Sequence, residues 1–254
     1  SYKGNINGKF AGGICGSNSA SIGDKKLSEL IYGTCKISFC NFMGVINNTA
    51  EGAGGIVGGY AGEGNGLVEI KNCFSGEENL SCDKNAIGSG GICGAFAGTD
   101  DYTDHNNVSI YDCYSIGYIG NGAGGICGAK YSKNGLVLID TCYSSGEIDI
   151  NGGGICGSEG CSNGKLEIGN CYSTGNIGVN GGGICGFKAS SGGDLTIYHC
   201  YSADNYVGNN GGGILGANSQ GDKIKINCTY AAAYEFGENS GGLAGPNSNI
   251  NKNY

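Results

Sequence analysis

Apolar residues recur along this chain in short clusters at regular intervals, not in long runs. The pattern is clearest at 164–186. Leu166 and Ile168 alternate with Glu167, the period-two sign of a half-buried strand. Cys171-Tyr172-Ser173, Gly175 and Ile177 follow, and Gly181-Gly182-Gly183-Ile184-Cys185-Gly186 closes the unit. Each unit holds about three extended pieces separated by glycine turns, none long enough to be a stable strand alone. The one short stretch with a helical pattern is Asp24–Ile31. No apolar run approaches the roughly 18–20 residues that span a bilayer.

The unit repeats through the whole chain. Gly-Gly-Ile-Cys-Gly stands at 12–16, 90–94, 124–128, 153–157 and 182–186, with variants at 54–58, 212–216 and 241–245. Its apolar positions are Ile14, Ile56, Ile92, Ile126, Ile155, Ile184, Ile214 and Leu243, spaced 42, 36, 34, 29, 29, 30 and 29 residues apart. Between these strings lie Cys113-Tyr114-Ser115, Cys142-Tyr143-Ser144, Cys171-Tyr172-Ser173 and Cys200-Tyr201-Ser202, with Cys40, Cys73 and Cys228 read as equivalents. Stacking like pieces on the next unit supplies the backbone hydrogen bonds that each piece lacks. The pattern predicts an all-β fold: a right-handed parallel β-solenoid of about eight glycine-rich coils, of roughly 29–42 residues each. It forms one domain over 1–254, with irregular coils at 1–112 and regular ones at 113–254. Like residues then form columns, and the eight Ile/Leu positions form a core column. The β-propeller is the competing architecture, but its blades need about 40 residues and four strands. Insertions at Ser17–Tyr32, Glu77–Ala86 and Thr99–Asn107 are expected to leave at corners.

Eight Gly-Gly-apolar-X-Gly strings, most with Cys-Tyr-Ser-X-Gly-X-Ile between them, resemble the GLUG repeat family over nearly the whole chain. GLUG repeats occur in bacterial surface proteins, among them large adhesins and some IgA-cleaving peptidases. The resemblance implies a stalk or scaffold, since no catalytic residue belongs to the motif. The density of cysteine departs from the family pattern.

Composition narrows the function. Glycine accounts for 55 of 254 residues beside a single proline, which excludes collagen. The net charge is −8 and the basic residues are all lysine, the wrong footprint for a nucleic-acid binder. No bilayer insertion is expected either. Two histidines are present. His199 precedes Cys200, which raises a thiol-nucleophile reading, but the equivalent Cys142 and Cys171 have no such neighbour. Asp100, Asp101, Asp104 and His105 form an acidic insertion, read as a solvated loop. No enzyme activity, cofactor or metal is expected.

The cysteines leave two readings open. Where the Gly-Gly-Ile-Cys-Gly string lacks cysteine it has Val57, Leu215 or Ala244, which suggests a small buried group and free thiols. Alternatively each coil carries a cross-core disulfide drawn from Cys93, Cys113, Cys127, Cys142, Cys156, Cys171, Cys185 and Cys200, for example Cys127–Cys142, Cys156–Cys171 and Cys185–Cys200. If each Cys of Cys-Tyr-Ser points inward, Tyr114, Tyr143, Tyr172 and Tyr201 form an outward ladder, extended by Phe74 and Tyr230.

Ser1–Ile6 resembles Ser173–Ile177, and Ile250–Tyr254 resembles Ile168–Tyr172. The ends therefore read as uncapped and of matching phase. Open solenoid ends expose strand edges that recruit further chains. The sequence is read as a structural protomer of an extracellular filament or surface stalk on a cell or virion. It would polymerise head to tail through Ser1, Tyr2, Ile6, Ile14, Leu243, Ile250 and Tyr254. The alternative is a surface adhesin that binds glycans.

Overall fold

The computed structural model describes residues 1–20, 33–47, 49–64, 66–76, 86–99 and 106–250, except for the side chains of Asn106 and Asn205. The chain is a parallel β-solenoid, with no helix among the described residues. One sheet has eight strands stacked in order: β1 (Tyr2–Lys3), β3 (Asn41–Met43), β5 (Phe74–Ser75), β7 (Tyr114–Ile116), β9 (Tyr143–Ser145), β11 (Tyr172–Thr174), β13 (Tyr201–Val207) and β15 (Tyr230–Phe236). The other has seven: β2 (Thr34–Ser38), β4 (Leu67–Lys71), β6 (Asn106–Tyr111), β8 (Leu136–Asp140), β10 (Lys165–Gly169), β12 (Asp194–Tyr198) and β14 (Lys223–Asn227). β1 has no companion in this second sheet, so complete turns number slightly fewer than the eight glycine strings.

The Gly-Gly-apolar strings form the third side. Parallel bridges run Gly90 to Gly124 to Gly153 to Gly182, and Cys93 to Cys127 to Cys156 to Cys185. Ile56, Ile92, Ile126, Ile155, Ile184 and Ile214 are fully buried in one column. Ile14 and Leu243, at the two ends of that column, are 39% and 45% exposed, because each lacks a neighbouring coil on one side.

Glycine has a different part from the one its turns suggest. In the inner strings it is the missing Cβ that matters: a Cβ on Gly125 would lie 2.2 Å from the Gly154 carbonyl and 2.5 Å from Ser144 Cβ. Ser144 and Ser173 point inward and donate their hydroxyls to the Gly154 and Gly183 carbonyls. The serine of Cys-Tyr-Ser thus packs against the glycine string of its own coil. Many tight corners are instead made by other residues in the left-handed region. The turn between the two strands of a coil uses Asn72, Asp112, Thr141, Asn170 and His199, at φ of 50–54°. Sequence reading placed such conformations at glycine, the usual provider. Each donates its backbone N–H to a carbonyl of the following coil, which holds these costlier residues in place.

The short stretch with a helical pattern at 24–31, most of the insertion at 17–32, and Asp100, Asp101, Asp104 and His105 lie outside the described residues.

Candidate functional site

Three features stand out: the aromatic ladder, the thiol columns and the two end faces. In β7, β9, β11 and β13 the tyrosine alternates with a buried serine and projects outward. Tyr114, Tyr143, Tyr172 and Tyr201 stack at 4.9 Å between ring centroids, with planes 3° apart. Phe74 continues the ladder at one end and Tyr230 at the other. Burial, and then the neighbouring phenols, push the Tyr143 and Tyr201 hydroxyls above their usual pKa. The rings cover one another's faces, so their edges and hydroxyls are what meet solvent. Cross-strand aromatic pairs of this kind each contribute up to about 1 kcal/mol to a sheet.

The described cysteines are free thiols, which corrects the disulfide alternative. Cys127–Cys142, Cys156–Cys171 and Cys185–Cys200 are not joined, and Cys93 and Cys113 are unpaired as well. Their sulfur neighbours lie along the solenoid axis, because in-register stacking sets like residues one coil apart. The Cys156 thiol is in hydrogen-bonding contact with those of Cys127 and Cys185, and the Cys142 thiol with those of Cys113 and Cys171. Their thiols also donate to backbone carbonyls, as from Cys200 to Tyr198 at 3.2 Å and Cys171 to Gly169 at 3.0 Å. Burial holds the Cys142, Cys156 and Cys171 thiols well above the usual range, so they stay protonated and unreactive.

Cys228 does not belong to this set. The register pairs Tyr198 with Asn227 and Tyr201 with Tyr230, so Thr229 takes the column position above Cys200. The Cys200 N–H points to Thr229 Oγ1 at 3.4 Å. Cys228 is exposed on the left-handed turn, above His199. His199 is itself exposed while Cys200 is buried, so the two do not form a nucleophile–base pair. Among the described residues, no group of three or more His, Cys, Asp or Glu could hold a metal ion.

The ends also need correction. Tyr2 pairs with Phe42, which pairs with Ser75, so Tyr2 occupies the inward serine place and Ser1 falls in the tyrosine place. Ile6 is paired with Ile46 and buried, and so is covered within its own chain. The Asn249 N–H donates to the Ser219 carbonyl, and Ser219 N–H points to Ser248 Oγ. Ile250 therefore lies over Gly221, before the strand in which Ile168, Ile197 and Ile226 form a column. The matching phase of the two termini does not hold. Tyr254 lies outside the described residues.

Sequence reading missed two groups. Asp204, on β13, is 4% exposed and accepts a 2.7 Å hydrogen bond from Ser202, while its Oδ1 has no partner. Asn107 is buried and clamps three backbone groups: it donates to the Gly62 and Gly64 carbonyls and accepts from the Leu136 N–H. Both break the repeat pattern, which is the one signal that could have singled them out. Comparison with protein-family models, curated proteins and solved structures finds no match for the chain. The resemblance to GLUG repeats therefore rests on its residues alone.

Proposed function

We propose that the protein is a non-enzymatic structural rod of an extracellular filament or surface stalk, and that its coils stack end to end on those of another copy. The observation that carries this reading is the state of the last coil. Gly242 holds the same string position as Gly125 and Gly213, yet nothing lies within 4 Å of where its Cβ would be. In the inner coils that space is taken by a carbonyl of the following coil, as Gly154 and Gly242 do for Gly125 and Gly213. Around it Leu243, Phe236 and Tyr230 are 45%, 47% and 60% exposed. This face offers a second copy an apolar surface beside the edges of β14 and β15. At the other end, Ile14 and the edge of β1 offer the complementary surface. A contact between unlike faces does not close on itself and so propagates.

Negative-stain electron microscopy of the purified 254-residue chain, with sedimentation across a concentration series, tests this. Fibres that grow with concentration are expected, and Gly242→Ala should abolish them without lowering the melting temperature. Single short rods at every concentration would refute it.

A further inference from the structure

We propose that a trench along one corner of the solenoid binds a neutral oligosaccharide. This corner has two neighbouring columns of turn residues. The first holds Gly52, Gly88, Gly122, Asn151, Asn180 and Asn210, and each of the first five donates its N–H to the carbonyl of the residue just before the next member. All six have positive φ, so the position suits glycine or asparagine. In the second, Ala95, Ala129, Ser158, Phe187 and Ala217 each donate an N–H to a carbonyl of the first column.

Over three consecutive coils the first column is glycine and the second is Ala95, Ala129 and Ser158. A shallow cavity of about 180 Å³ opens there, one stretch of a groove and not a closed pocket. Phe10 closes one end and Asn151 the other. Phe96, Lys130 and Glu159 stand on one wall, and Glu51, Ile87 and Asn121 on the other. Phe10 is held edge-on against Tyr60 and Phe96, at 5.1 and 5.9 Å, which fixes that end of the trench.

The lining selects the ligand class. Both wall carboxylates already have cations: Lys9 lies 2.7 Å from Glu51, and Lys130 lies 3.8 Å from Glu159. Lys130 also sits 5.6 Å from the centre of the Phe96 ring. No charge on these walls is left to demand an ion, and the net charge of −8 disfavours anions. What remains is a mixture of apolar surface (Phe10, Ile87, Ala95, Ala129) and hydrogen-bonding groups (Asn121, Asn151, Ser158, the carboxylates). That mixture fits a molecule with hydroxyls around an apolar face. The trench also runs along the stacking axis, so its backbone positions recur once per coil, about every 4.8 Å, while its side chains change. A pyranose chain advances by close to that spacing per sugar, so each sugar faces the side chains of one coil. The proposal stands apart from the end-to-end rod, which uses other surfaces.

The next two coils supply the test, because they carry asparagine where the trench has glycine. Asn180 Nδ2 donates to Asn151 Oδ1 at 3.1 Å, so asparagine stacks here without strain. In the 254-residue chain, Gly88→Asn with Gly122→Asn should fill the trench and extend that asparagine ladder. Cellotetraose, maltotetraose and chitotetraose serve as probes, by saturation-transfer NMR and calorimetry. At least one should bind the unaltered protein. The double variant should lose about tenfold or more in affinity while still folding, its new Cβ atoms pressing on Ala129 Cβ at 3.0 Å and on the rotatable Ser158 hydroxyl at 2.8 Å. Should that variant not fold, Lys130→Ala on the exposed wall should weaken the same probe, and undiminished binding there counts against the site. Tyr143→Ser, on the ladder, should bind as the parent does. The proposal is overturned if none of the three probes binds, if the filled trench still binds fully, or if the tyrosine variant is the one that loses binding.

Discussion

Ser202 donates its hydroxyl to Asp204 rather than to the glycine string that Ser144 and Ser173 serve. This sets it apart from the two preceding rungs of the serine column. Burial pushes the Asp204 carboxyl up to about 7 from its usual 3.8, partly offset by the Ser202 bond. A raised acid pKa costs nothing below the unfolded value. The cost grows as pH rises from 3.8 towards 7 and is constant above. About three pH units correspond to a penalty of the order of 4 kcal/mol. Asp204→Asn keeps an acceptor for Ser202 and removes the charge. It should raise stability in urea at about pH 8 by a few kcal/mol and leave it unchanged at about pH 4. Equal effects at both pH values would show that the carboxyl is not buried in its charged form.

Thiol reactivity should divide the cysteines sharply. Cys228 is exposed on its turn, whereas those of the inner columns are buried, and burial also keeps Cys142, Cys156 and Cys171 protonated. Brief alkylation of the native protein, followed by peptide mass spectrometry, should label Cys228 first. Cys127, Cys142, Cys156 and Cys171 should react only after denaturation. Early labelling of the inner columns would contradict the burial described.

One glycine string position should respond oppositely in the middle and at the end of the rod. Gly125→Ala forces a Cβ against the Gly154 carbonyl, which cannot move without shifting a whole coil. A loss of about 3 kcal/mol is expected, the upper range for overpacking. Gly242→Ala meets open space and should change monomer stability by less than about 0.5 kcal/mol. Chemical denaturation of the two variants at low protein concentration compares them directly.

Asn107→Ala should cost about 1–3 kcal/mol, the penalty of leaving buried backbone groups unpaired. The Gly62 and Gly64 carbonyls and the Leu136 N–H all lose a partner. Hydrogen exchange should show the Leu136 amide opening first. Unchanged protection there would remove Asn107 as the clamp.

The 29-residue spacing and the alternation of Leu166, Glu167 and Ile168 were enough to specify stacked parallel coils. A strand two to seven residues long can satisfy its backbone only through a like strand above and below, so periodicity carries the topology. The outward phase of Tyr172 followed likewise, because side chains alternate along a strand. Tertiary structure decided the rest. The thiols could not be assigned from sequence, which offers Cys142 a cross-core partner 15 residues away and axial partners 29 residues away; only in-register stacking sets Cys142 beside Cys113 and Cys171. Cys228 looked like a column member until the register of β14 gave that place to Thr229. Gly122 and Asn151 read as one turn residue or another. Which side chains flank the space that glycine leaves depends on how the corners of successive coils align, and that is a property of the folded stack alone.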